Sequence, residues 1–123
     1  MSNAKKIVLV EDDSNLGFVV KDNLELAGYK VDWAKDGQEG LKFILNNSYD
    51  SAILDVMLPK MSGFEIAEEI VESRPDLPFL FVTAKSMLDD KIRGLKLGED
   101  YITKPFEFAE LKIRLEKILD RYI

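Results

Sequence analysis

Five short apolar runs alternate with longer amphipathic segments along this chain, and that alternation leaves few folds open. Ile7-Val8-Leu9-Val10 is rich in β-branched residues and bounded by charge, the mark of a strand buried on both faces. Lys30 to Trp33 reads as a second, weaker strand, Ala52 to Leu54 as a third, Phe79-Leu80-Phe81-Val82 as the most apolar, and Tyr101-Ile102-Thr103 as a short fifth. Between them the apolar period changes to that of a helix. Ser14 can cap a first helix, with Leu16, Val20, Leu24 and Ala27 on one face and Gly28 suited to the position just past its end. Asp36 caps a second, with Leu41, Ile44 and Leu45 inward; Ser62 caps a third, with Ile66, Ala67, Ile70 and Val71 inward. Leu88 to Leu97 reads as a more polar helix weakened by Gly94, and a last helix is expected from about Phe106 to Tyr122, with Phe108, Leu111, Leu115 and Ile118 on one face.

Strands alternating with helices predict an α/β fold: a five-stranded parallel sheet with helices on both faces and right-handed crossovers. Its 123 residues suit one domain, and no repeat or linker divides them. A net charge of −6 argues against a general nucleic-acid or membrane binder. With no cysteine and no histidine, disulfides, thiolate or imidazole metal sites, Ser-His-Asp chemistry and a phosphohistidine-donor role are excluded. No apolar run approaches membrane-spanning length and no signal-peptide pattern precedes the first strand, so a cytoplasmic protein is expected. Residues 1–4 are expected to be a flexible or tag-derived N-terminus.

In such a sheet a site belongs outside the carboxyl ends of the strands. Glu11, Asp12 and Asp13 follow the first strand, Asp55 the third, Thr83 and Ala84 the fourth, and Lys104-Pro105 the fifth. Carboxylates brought together repel and cannot all ionise cheaply without a cation. They are hard oxygen donors, so the ion they favour is Mg2+. A carboxylate such as Asp55 can attack phosphorus in line to give an aspartyl phosphate. Thr83 could then hydrogen-bond one phosphoryl oxygen and Lys104 pair with another.

These residues fall in stretches whose order and spacing resemble the receiver domain of bacterial two-component response regulators. The stretches are Leu9-Val10-Glu11-Asp12-Asp13, Leu54-Asp55-Val56-Met57-Leu58-Pro59, Gly63-Phe64-Glu65, Val82-Thr83-Ala84 and Tyr101-Ile102-Thr103-Lys104-Pro105-Phe106. The resemblance covers essentially residues 1–123, with no output domain among them, and implies a flavodoxin-like (βα)5 sheet in the order 2-1-3-4-5. It implies that Asp55 takes a phosphoryl group from a sensor histidine kinase. Glu11, Asp12, Asp55 and the backbone carbonyl of Met57 would hold Mg2+, with Asp13 starting the first helix. Thr83 matches the switch hydroxyl, Tyr101 the aromatic switch and Lys104 the phosphate-pairing lysine, and the Lys104-Pro105 bond is often cis in the family. Phosphorylation would bias the face made by the fourth helix, the fifth strand and the last helix, so the domain would be a signalling switch and not an enzyme.

The pattern is similar to the subfamily with winged-helix DNA-binding outputs, whose active receivers pair on that face. Lys91 with Glu110, and Asp100 with Arg114, are the matching candidates for a phosphorylation-dependent homodimer; a solvated charged face is the alternative. The Gly98-Glu99-Asp100-Tyr101 stretch is one residue shorter than the usual loop. An aspartate-nucleophile hydrolase is disfavoured, because that class wants a second Asp where this chain has Met57. A degenerate receiver acting only as an interaction module is disfavoured by the complete residue set. Trp33, Phe79 and Phe81 are expected to be core.

Overall fold

A computed structural model describes residues 4–84 and 100–120. It contains one sheet of five parallel strands in the order β2-β1-β3-β4-β5. In chain order the elements are β1 (Lys6–Val10), α1 (Ser14–Leu26), β2 (Lys30–Ala34), α2 (Gly37–Asn46), β3 (Ser51–Asp55), α3 (Gly63–Ser73), β4 (Phe79–Ala84), β5 (Asp100–Lys104) and α4 (Phe108–Asp120). The expected helix over Leu88–Leu97, with Lys85 and Lys91, lies outside the described residues.

Alternation along the strands divides the interior into two cores. Val8, Val10, Ala52, Leu54, Phe79 and Phe81 face one side, where Ile44 of α2 and Phe64, Ile66 and Ile70 of α3 close over them. Ile7, Leu9, Ile53, Leu80, Val82 and Ile102 face the other, against Val20 and Leu24 of α1 and Leu111, Leu115 and Ile118 of α4. The sheet is therefore dry on both faces, which is why its central strands read as unbroken apolar runs.

Helix starts follow local chemistry. Asp13 caps α1, accepting from the N–H groups of Asn15 and Leu16, and Ser14, expected in that role, is already the first helical residue. Asp36 caps α2 through the Glu39 N–H. Ser62 caps α3 in a reciprocal box: its hydroxyl accepts from the Glu65 N–H while the Glu65 carboxylate accepts from the Ser62 N–H. Gly28 takes φ 101° just past α1, as its position predicts. Ala27, Leu45 and Val71, expected inward, are exposed, because each helix buries a narrower stripe than its apolar residues span.

The crossing from β3 to α3 is tight. The Gly63 N–H donates to the Val56 carbonyl at 3.0 Å, and a Cβ on Gly63 would stand 2.2 Å from the carbonyl oxygen of Asp55. The helix is thus laid directly on the strand end that carries Asp55. Urea unfolding is expected to show Ser62→Ala losing about 1 kcal/mol with the loss of its cap. Gly63→Ala should cost more, about 2 kcal/mol, since the obstructing atoms are backbone.

Candidate functional site

The strands run further than the apolar runs alone suggest. Asp55 pairs in register with Val82, Thr83 with Thr103 and Ala84 with Lys104, so these side chains sit on the last rungs of the ladder and not in the loops beyond it. Strand pairing fixes each backbone, and alternation then sets its direction. Asp55 follows Ile53 and Lys104 follows Ile102 toward the α1/α4 side.

Glu11 and Asp12 arrive from the turn after β1. The Glu11 N–H donates to the Ala34 carbonyl of β2 at 3.0 Å, which carries the β1–β2 pairing one residue further. Glu11 is 3% exposed and Asp55 4%, whereas Asp12 is exposed. One oxygen from each of the three carboxylates lies within 4.8 Å of the others, so they could hold a metal ion. Open cavities flank them. One of about 400 Å³ lies beside Asp12, Met57, Leu58 and Pro59, and one of about 440 Å³ lies beside Asp13, Lys104 and Phe106.

Lys104 supplies the positive charge. Its ammonium stands 2.8 Å from Oδ2 of Asp55 and 3.1 Å from Oε1 of Glu11. The other Asp55 oxygen, Oδ1, accepts from the Met57 N–H at 3.0 Å, while the Met57 side chain is exposed. The peptide bond between Lys104 and Pro105 is cis. Burial, and then the adjacent Asp55 carboxylate, push the Glu11 carboxyl up from 4.5 to about 7. Burial pulls the Lys104 ammonium down, but its bond to Asp55 and the Glu11 charge outweigh that, and it ends raised.

Thr83 is fully buried, and its hydroxyl donates to the Ala84 carbonyl at 3.2 Å. Tyr101 lies opposite Phe81 on the edge strand and is 42% exposed, sharing by alternation the sheet face of Thr83. Of the expected interaction face, Asp100 and Arg114 meet within one chain, the Nη1 of Arg114 lying 2.9 and 3.0 Å from the two Asp100 oxygens. The Arg114 Nε also reaches Glu110 at 3.3 Å.

Trp33 departs from its expected core role. It is half-buried, and its indole N–H donates to the Glu11 carbonyl at 2.8 Å. An indole carries one donor that must be satisfied when covered, which was the signal in the sequence; only the fold shows where it points.

A folded-state value of Glu11 above its unfolded 4.5 means the native protein holds that proton more tightly. Below 4.5 the group is protonated in both states and costs nothing. As pH rises from 4.5 toward about 7 the unfolded chain releases that proton while the native site still holds it, so stability falls until the native group ionises as well. Thermal unfolding in the presence of a chelator should therefore show a midpoint falling across that window, and Glu11→Gln should flatten the fall.

Comparison with known proteins agrees with this geometry. A family model described as "Response regulator receiver domain" matches residues 7–116. Transcriptional regulatory protein RprY of Bacteroides fragilis is 43% identical over 122 residues, 98% of this chain and 52% of its own length. The alkaline phosphatase synthesis transcriptional regulatory protein PhoP of Bacillus subtilis is 42% identical over 118 residues, 95% of this chain and 49% of its own length. The chain thus spans about half the length of these curated relatives. A CheY-like receiver domain protein from Methanospirillum hungatei superposes with a TM-score of 0.90 at 32% identity, covering 98% of this chain and 97% of that one. Response regulator TrrA of Thermotoga maritima, solved in complex with Mg2+–BeF, gives a TM-score of 0.84 at 34% identity, covering 93% and 98%. With its five parallel strands in the order 2-1-3-4-5 and its carboxylates gathered at their carboxyl ends, the chain belongs to the response regulator receiver domain family.

Proposed function

We propose that this domain accepts a phosphoryl group on the Asp55 carboxylate from the phosphohistidine of a sensor histidine kinase and works as a switch, not as an enzyme with a substrate of its own. The observation that carries this reading is the pairing of a buried Asp55 with Lys104 beside Glu11 and Asp12, where Asp12 lines one open cavity and Lys104 another. One Asp55 oxygen attacks phosphorus, the P–N bond to the imidazole breaks as the new P–O bond forms, and the imidazole leaves with the electron pair. The Met57 N–H and the Lys104 ammonium hold the two Asp55 oxygens in place before attack. Lys104, freed from the lost carboxylate charge, stays paired to a phosphoryl oxygen.

The donor set fits Mg2+: all oxygen, more negative than Lys104 can balance, with the Glu11 carboxyl pushed up by burial and by the adjacent Asp55. Asp12, the exposed member, with Glu11, Asp55 and the Met57 carbonyl, would hold it, and once bound it neutralises charge on the carboxylates and the incoming phosphoryl oxygens.

Phosphorylation adds negative charge where Asp55 stood. The Thr83 hydroxyl turns from the Ala84 carbonyl toward a phosphoryl oxygen, and Tyr101 leaves its exposed position to fill the space behind it. The signal then reaches the surface around β5 and α4, where Asp100, Glu110 and Arg114 lie; Lys91, the fourth residue expected there, lies outside the described residues. This surface is read as the homodimer face. A second copy has to compete for Asp100 with the Arg114 of its own chain. The domain itself contacts neither nucleic acid nor membrane and works in the cytoplasm; among the described residues no helix is long and apolar enough to cross a membrane.

Treatment with a small phosphodonor and Mg2+ should add one phosphoryl mass to the wild type and none to Asp55→Asn; an unmodified wild type sinks the proposal. Thr83→Ala should still be modified but fail to associate when sedimentation is compared with and without donor. A wild type that stays monomeric in both conditions removes the dimer.

A further inference from the structure

The Glu11–Asp12 peptide joins the two carboxylates of the first turn, and it lies where the β1 ladder has run out of strand. Its carbonyl oxygen, on Glu11, accepts the indole N–H of Trp33 at 2.8 Å. On the other side of Glu11, its N–H is held by the Ala34 carbonyl. Both grips come from the end of β2, a strand that contributes no carboxylate to the site. Two neighbours seat the ring. The Lys35 ammonium stands 4.9 Å from its centroid, and α1 has glycine at position 17, where a Cβ would lie 2.1 Å from the ring carbon Cζ2. The Glu11 carboxylate is folded back to accept the Asp13 N–H at 3.1 Å, so the turn beyond the pinned peptide is itself closed.

We infer that Trp33 is a positioning residue for Mg2+: its indole N–H pins the Glu11–Asp12 peptide, and so sets the direction of both carboxylates toward Asp55. The inference rests on reading that cluster as the Mg2+ site. The reasoning is one of leverage. Fixing the carbonyl between Glu11 and Asp12 fixes ψ of Glu11, the dihedral through which the chain passes from one carboxylate-bearing residue to the next. Without the indole, the bond from the Glu11 N–H to the Ala34 carbonyl is the tie that remains between the turn and β2 among the described residues. A cation that needs several oxygens at near-ideal geometry is sensitive to such freedom, and loss of a hydrogen bond behind a metal ligand weakens binding even though no ligand is removed.

The test measures Mg2+ affinity by calorimetry on the wild type, on Trp33→Phe, and on protein with Trp33 replaced by benzothienylalanine, which keeps the bicyclic shape and carries sulfur in place of N–H. Thermal unfolding without metal is followed in parallel. Both replacements are expected to bind Mg2+ about tenfold more weakly, and the benzothienyl protein should do so with an unfolding midpoint close to that of the wild type. A purely structural Trp33 would move the midpoint and leave the affinity alone. If Trp33→Phe does not fold, the benzothienyl protein decides. A folded replacement that binds Mg2+ as tightly as the wild type overturns the inference and leaves the Mg2+ site standing. A wild type that binds no Mg2+ overturns the site and the inference together.

Discussion

An ammonium held between two buried carboxylates organises this molecule. Lys104 reaches Asp55 and Glu11 from the end of β5, Asp55 ending β3 and Glu11 following β1. Carboxylates removed from water at this edge stay charged only at a cost, which the raised Glu11 shows directly. One lysine offsets part of that cost. The remaining negative charge makes the edge a place that favours a cation. Any arrangement that failed to bring the carboxyl ends of β1, β3 and β5 to one edge would leave these charges buried alone or pull them apart.

The rest of the fold keeps that edge in register. Parallel pairing puts all the carboxyl ends on the same side, and two dry cores clamp the sheet so that no strand can slide. Because the ladder extends through Asp55, Thr83 and Lys104, their backbones are held by sheet pairing up to the edge where the carboxylates gather. The turns bring flexibility under control by other means: Asp13 caps α1 immediately after the acidic pair, and Ser62-Gly63 start α3 against the carbonyl of Asp55.

The two residues proposed for the switch, Thr83 and Tyr101, differ in burial. Thr83 has no exposure and its hydroxyl donates to the neighbouring Ala84 carbonyl, whereas Tyr101, on the same side of the sheet, is open to solvent. A hydroxyl in that position can change partner without moving far, and an exposed ring can move without first breaking a packed core. Strand β2, which read as the weaker strand and supplies no carboxylate to the site, frames the acidic turn through the Ala34 carbonyl and the Trp33 indole.

The layout of the site was legible in the residues alone. Hydrophobic period separates strand from helix and a parallel sheet sends all carboxyl ends one way, so Glu11, Asp12, Asp55, Thr83 and Lys104 were expected at one edge; Glu11, Asp12, Asp55 and Lys104 come together there, while Thr83 ends β4 with its hydroxyl on the Ala84 carbonyl. Helix starts at Asp36 and Ser62 were equally local, set by a side chain and the three residues after it. Tertiary structure decided how the members differ. It buries Glu11 and leaves Asp12 open, joins Lys104 to a glutamate 93 positions away, ties Trp33 to a carbonyl 22 positions away, and closes Arg114 on the Asp100 of its own chain. Spacing along a chain reports which edge a residue reaches, because period and handedness are properties of the backbone. Partner, burial and proton affinity depend on distances of an ångström or less between segments far apart in sequence, and those exist only when the two cores have packed.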